Sequence, residues 1–319
     1  MVSRVVQTIV VLFAVFVIIW LMFRLIPGDP AAIYISGRLT PEDIIALRKS
    51  WGLDEPLYVQ FFSYLRNILK GDFGISFYFQ EPAMKIIIPT LLNTLLLMGP
   101  PMIMAMVLGT LWGSSLGWGR GSKKEKIGVI LALVARSFPI FQSGIIVIML
   151  FSFYLGWFPL GGMRTIGLIS FSWWDKFLDV SHHLVLPSVV ALLYYIGDVV
   201  VIARTSMLEL IGEEFLEYAK ARGLSSSRVK MIATRNAIIP VVTYSTIMVG
   251  FALGGQVLLE VVFSWPGIGR LTVDSVARHD YPVGQAGFFI MALGVIVANL
   301  IVDLLYGYLD PRITYDKSQ

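Results

Sequence analysis

Hydrophobic residues fall along this chain in long unbroken runs, and the charges gather between them. Val5 to Phe23 is nineteen residues with only Gln7 and Thr8 polar, long enough for a helix to cross a hydrocarbon layer of roughly 30 Å. Ile86 to Gly119 carries no charge over thirty-four residues. That is more than one crossing needs, and Gly99-Pro100-Pro101 interrupts it, so the pattern predicts a kinked second span from Leu91 to Trp118. Ile127 to Phe158 gives a third span, with Arg136 its only charge and Pro139 a helix break. Leu184 to Ala203 is a fourth, with Asp198 inside it and Arg204 at its end. Ala237 to Leu259 is a fifth, uncharged until Glu260, and Tyr281 to Val302 a sixth. The expected architecture is all-α, a multi-pass membrane protein with six transmembrane helices.

The polar segments set the orientation. Gly28 to Lys85 holds six Lys or Arg against seven Asp or Glu and lacks the basic excess of a cytosolic loop, so it is expected outside. Within it, Thr40-Pro41-Glu42-Asp43 reads as a helix start closed by Gly52. A second helix after Pro56 sets Tyr58, Phe61, Phe62, Leu65, Ile68 and Leu69 on a stripe ending at Gly71, fit to lie on the membrane surface or on the protein's own spans. Plain packing and receptor docking are equally open for it. Arg120, Lys123, Lys124 and Lys126 stand against one acid, Glu125, which places their loop in the cytosol. Alternation then puts both termini and the island Glu213 to Pro240 inside. Gly156 to His183 is expected as an outer loop, with Trp157, Trp173 and Trp174 as interfacial anchors, and Trp265-Pro266-Gly267 as a rigid turn at the outer interface. The helix-like piece behind that turn would form a small lip over the pathway. Gly109, Gly113 and Gly117 recur every four residues and suit close approach of a neighbouring helix of the same chain.

Composition narrows the function. The chain has 56% hydrophobic and 14% charged residues, a net charge of +4 and no cysteine, which excludes disulfides, thiolate metal sites and cysteine nucleophiles. No basic cluster is interleaved with aromatics, so no nucleic-acid partner is expected. His182 and His183 are adjacent without an acidic cluster, an ordinary loop pair rather than a metal site. A phosphate-binding Walker loop needs lysine after its second glycine; Gly162 and Gly167 have the spacing, but Leu168 stands where lysine must be. The chain therefore binds no nucleotide of its own and must borrow energy. A membrane enzyme would need a convergent catalytic set that is not visible, and a secondary transporter a midplane ion site, for which only Asp198 qualifies.

The charged island is the distinctive stretch. From Met207 to Arg222, Leu208, Ile211, Phe215 and Ala219 recur at helical spacing on one side, and Glu209, Glu213 and Glu217 on another, predicting an amphipathic helix of about four turns. Gly223 supplies a left-handed turn, and serines from Ser225 cap a second helix carrying Arg228, Lys230 and Arg235. Such a helix suits the groove of another protein. Glu217, Tyr218, Ala219 and Gly223 resemble the EAA loop of permease subunits in ABC-type importers. The strings ARGLSSSRV and RNAIIPVVT are similar to the dipeptide, oligopeptide and nickel branch, although Pro240, seventeen residues after Gly223, lies further from the glycine than the general pattern has it. RLIPGDPA, WGLDEPL, GDFGIS, LLEVVFSWPGIGRL, VDSVARHDYPVGQAG and YGYLDPRI follow in the order of the B-type, or first, permease of that branch.

The resemblance covers almost the whole chain. It implies a type I importer permease fold in a prokaryotic plasma membrane: a first helix over 1–26, an outer loop over 27–85, and a core over 86–319 with the coupling loop at 207–240. It implies a C-type permease partner, two ATPases that hold the ATP and magnesium, an extracytoplasmic binding protein, and surrounding lipid. Glu217, Ala219 and Gly223 would dock the ATPase, with Lys220 and Arg222 in support. The cargo would be di- or oligopeptides, with nickel chelates or other small solutes as the alternative. One further expectation comes from depth. Arg136 lies about 14 Å above the inner end of its span and Asp198 about 9 Å above Arg204, and a charge inside a bilayer is costly unless paired. A buried Arg136–Asp198 pair follows.

Overall fold

A computed structural model of the chain describes residues 2–25, 54–167, 172–253 and 256–309, with Glu42, Ile45, Lys49 and Gly52 as single positions between the first two. Apart from those single positions, the helix expected from Thr40 to Gly52 lies outside the described residues, as does the end of the YGYLDPRI string. Among the described residues, regular structure is helical apart from one isolated bridge between Ile75 and Pro82. Five helices are long and apolar enough to cross a membrane, and a bent pair brings the number to six if it counts as one span.

The chain forms two compact units. The first comprises residues 1–94, 253–257 and 266–300. Here α1 (Val2–Leu25) receives α2 (Leu57–Leu69) through Phe61 and Tyr64, whose rings lie 5.5 and 5.2 Å from that of Phe16. Phe61 also meets Trp20 edge-on at 5.3 Å. Helix α2 therefore rests on the protein's own span. The stripe it uses is shifted from the expected one, because Tyr58, Phe62 and Leu69 stay exposed while Tyr64 turns inward. The segment after α2 is pinned by Asp280, whose carboxylate accepts from the Ser76 hydroxyl at 2.5 Å and the Phe77 amide at 3.0 Å. Phe73, Ala83, Ile87, Ile268, Val283 and Ala286 form the local core.

The second unit comprises residues 95–252, 258–265 and 301–319. Helix α3 (Ala83–Trp118), which begins in the first unit, runs helically through Gly99-Pro100-Pro101. The two prolines remove amide donors without ending the helix, and Leu97, Met98 and Met102 beside them are buried in the unit's main core. Helix α4 (Lys123–Ser137) and α5 (Ile140–Val147, continued by a π-helical turn Ile148–Tyr154) meet at 91° across Phe138-Pro139. Proline breaks the third span as expected, and the break is nearly a right angle.

Helix α6 (Trp173–Leu210) is much longer than the expected fourth span. It starts at Ser172, whose hydroxyl accepts from the Trp174 amide, so His182 and His183 lie in a helix rather than in a loop. Their rings contact the carbonyls of Trp157 and Asp179 at 3.0 and 2.8 Å. Helix α7 (Glu214–Ala221), α8 (Ser226–Leu253) and α9 (Val257–Val262) follow. The fifth span thus begins at Ser226, passes through Pro240, and ends before Leu259. Trp265 is fully buried in the unit's core. The three glycines of α3 do what their spacing suggests. A Cβ on Gly113 would sit 2.3 Å from the Val200 carbonyl oxygen, and one on Gly109 2.7 Å from Val199, so α3 and α6 touch backbone to backbone. In the first unit, α10 (Ile268–Ala277) and α11 (Tyr281–Leu309, of which residues to 300 belong to this unit) complete the chain; the Ile268 amide donates to the Thr94 hydroxyl at 2.9 Å.

Candidate functional site: the charged elbow and the ion pairs beside it

The island is built as an elbow. The single four-turn helix expected from Met207 to Arg222 is instead divided. Its first residues to Leu210 finish α6; Gly212, a poor helix former, and Glu213 in extended conformation (φ −76°, ψ 138°) break it, and α7 is only eight residues long. Its end is a Schellman closure: the Leu224 amide donates to the Ala219 carbonyl at 3.3 Å and the Gly223 amide to the Lys220 carbonyl at 2.9 Å. Gly223 sits at φ +80° with nothing within 4 Å of an added Cβ. The position therefore demands glycine for its backbone, not for space.

Leu216 and Ala219 face inward, onto Met207 of α6 and Val229, Ala233 and Ala237 of α8. Ala219, expected as a docking residue, is 8% exposed: its small size lets α7 lie close on α8. Glu217, Tyr218, Lys220 and Arg222 project outward, and the Arg222 guanidinium lies 6.0 Å from the Tyr218 ring centre. The elbow thus has a buried inner face that fixes it to α6 and α8, and a charged outer face exposed in this chain.

Two ion pairs stitch α4 to α6. Arg136 Nη1 lies 2.7 Å from Asp198 Oδ1, and the other Asp198 oxygen accepts from the Tyr244 hydroxyl at 2.7 Å. Asp198 therefore joins α4, α6 and α8. Gly197 explains the closeness, since a Cβ there would meet the Ala132 carbonyl at 2.5 Å. The pair is not sealed: the Arg136 side chain is 46% and Asp198 22% exposed in this chain. The second pair was not foreseen. Arg204 donates through Nε and Nη2 to Glu125 Oε1 at 2.9 and 2.5 Å. Glu125 also caps its own helix, because Ser122 accepts from its amide while its carboxylate accepts from the Gly121 amide at 2.6 Å. The signal was present as Ser122-Lys-Lys-Glu125, a capping-box spacing, and as the one acid of a basic loop. Among the described residues no group of three or more His, Cys, Asp or Glu is placed to hold a metal ion.

Comparison with known proteins agrees with this architecture. Residues 105–315 match the model of the binding-protein-dependent transport system inner membrane component, and residues 1–98 match the N-terminal model of the same transport-system membrane component. The chain is 37% identical to the glutathione transport system permease protein GsiC of Salmonella choleraesuis over 315 residues, 98% of each chain. It is 37% identical to the dipeptide transport system permease protein DppB of Escherichia coli K12, covering 92% of each. It is 36% identical to the di/tripeptide transport system permease protein DppB of Pseudomonas aeruginosa UCBPP-PA14, covering 96% of this chain and 95% of that one. With both family models spanning nearly all of its length, the chain belongs to the binding-protein-dependent transport system inner membrane components, as a multi-pass permease.

Proposed function

We propose that this permease forms, with a C-type permease partner, the pathway of a peptide importer powered by two separate ATPase subunits and fed by an extracytoplasmic binding protein. Both termini, the Arg120–Lys126 loop and the elbow lie in the cytoplasm. Di- or tripeptide-sized cargo is supported by the names of the relatives above, and none of those three concerns nickel. The chain supplies no nucleotide site, so force must arrive from outside it.

The observation that carries this reading is the two-faced elbow. Its inner face is anchored on Met207, Val229 and Ala233; its outer face offers Glu217, Lys220 and Arg222 to a partner, and Gly223 holds the turn. ATP-driven closure of the ATPases would press on α7, and the anchored face would pass the displacement to α6 and α8, biasing a two-state opening of the pathway. The test is reconstitution: the chain is purified with its partner permease and ATPases into liposomes, and uptake of a labelled dipeptide is measured with and without the ATPases. Uptake should require them. ATP-independent uptake, or failure of the ATPases to co-purify, would reject the assignment.

A further inference from the structure

Helices α3 and α8 border a second feature, a groove of about 780 Å³ that the elbow does not use. Val107, Leu111, Met231 and Ile238 make it apolar, and Lys230 and Arg235 stand along it, with no carboxylate among the lining residues. Its direction is legible from one bond. Lys230 Nζ donates to Ser115 Oγ at 3.2 Å, and eight residues further along each antiparallel helix Ile238 and Val107 line the same groove, so it extends about 12 Å. Ser115 is three residues from the end of α3 at Trp118. The Lys230 end therefore lies about 5 Å from the helix terminus that leads into the basic loop Arg120–Lys126. Arg235 sits higher on α8, but its long stem lets the guanidinium reach back toward that end.

We propose that this groove is a binding site for an anionic phospholipid. The phosphate lies between Lys230 and Arg235, and an acyl chain runs over Leu111, Met231 and Ile238 toward Val107. Three of these side chains are largely uncovered in the chain, Met231 at 66%, Leu111 at 58% and Val107 at 54%, and they lead away from the cations in the direction a lipid tail would take. Charge complementarity selects the headgroup. Two cations without a carboxylate favour a net negative lipid, whereas a zwitterionic headgroup would bring an ammonium to a site with nothing to receive it. A helix from a partner protein would have to carry its own acid into an apolar trough to meet the same two cations. The placement at the cytosolic surface rests on the topology proposed above; the groove's chemistry does not.

The experiment uses the assembled importer, extracted from membranes and analysed by native mass spectrometry and lipid extraction. Phosphatidylglycerol should be retained about tenfold over phosphatidylethanolamine relative to the bulk membrane, the preference expected when two surface cations act together. The Lys230→Gln/Arg235→Gln double variant should return the ratio to the bulk value, and Lys70→Gln should leave it unchanged. Equal retention by the double variant overturns the proposal. So does a photocrosslinker at Met231 that labels a protein subunit instead of lipid, which would make the groove a subunit interface. Because the chain has no cysteine, Lys126→Cys labelled by an impermeant thiol reagent reports the topology separately: labelling from outside would move the site to the other leaflet without abolishing the enrichment.

Discussion

Alanine at Gly113 is the sharpest test of the packing, because two known effects oppose each other there. In an isolated helix, glycine to alanine stabilises by about 1 kcal/mol. At Gly113, however, the new Cβ would lie 2.3 Å from the Val200 carbonyl oxygen and 2.9 Å from the Ala203 Cβ. An ordinary carbon-to-oxygen contact is about 3.3 Å, so α3 and α6 must part locally by about 1 Å. The obstacle is backbone, which no rotamer change can remove. Overpacking costs about 1–3 kcal/mol; a backbone obstacle that cannot rotate away puts Gly113 in the upper half of that range, about 2–3 kcal/mol, so a net loss of about 1–2 kcal/mol remains after the propensity gain. Thermal unfolding of the detergent-solubilised protein, followed by tryptophan fluorescence, should rank Gly113→Ala below the parent. A Gly113→Ala protein as stable as the parent would show that α3 and α6 do not meet as described.

Three other outcomes follow from named contacts. Arg136→Gln and Asp198→Asn should each lower stability by about 1–2 kcal/mol, discounted for the exposure of Arg136; the double variant should lose less than the sum, and strict additivity in a double-mutant cycle would disprove the pairing. Asp280→Ala removes the acceptor for Ser76 and the Phe77 amide and should cost about 2–3 kcal/mol, read as faster proteolysis between Asp72 and Pro82; unchanged cleavage would refute the pin. Gly223→Val should cost about 1–2 kcal/mol for its left-handed backbone and should separate ATP hydrolysis from peptide uptake, while normal uptake would count against the elbow as the point of coupling.

Runs of apolar residues were enough to locate the spans, because a bilayer imposes a length that composition alone can reveal. The ends of the helices were less legible. Trp173 and His183 read as loop residues by their chemistry, yet backbone hydrogen bonding and a Ser172 cap extend α6 past them. Pro100 and Pro101, read as a kink, lie within one continuous helix beside the buried Leu97, Met98 and Met102, while Pro139, at the exposed end of α4, breaks its helix. The Arg136–Asp198 contact was visible through depth because the cost of a lone charge narrows the choice of partner. The Glu125–Arg204 contact was hidden in a loop where charge was read only as topology.

The elbow's length matters to how force would travel under the proposed function. A free four-turn helix could tilt without moving its neighbours. At eight residues, α7 is too short to hold helical form alone, so its structure depends on Leu216 and Ala219 being seated on α6 and α8. Any push large enough to displace it must either carry α6 and α8 along or melt it. Helix α6 in turn cannot slide freely past α3, since Val200 and Ala203 lie against Gly113, nor past α4, since Gly197 lies on Ala132 and two ion pairs flank that contact. Close glycine contacts resist shear because carbonyl and Cα atoms have no rotamers through which to yield. The second unit's α3, α4 and α6 would thus respond to the elbow together, as the proposed coupling to separate ATPases requires.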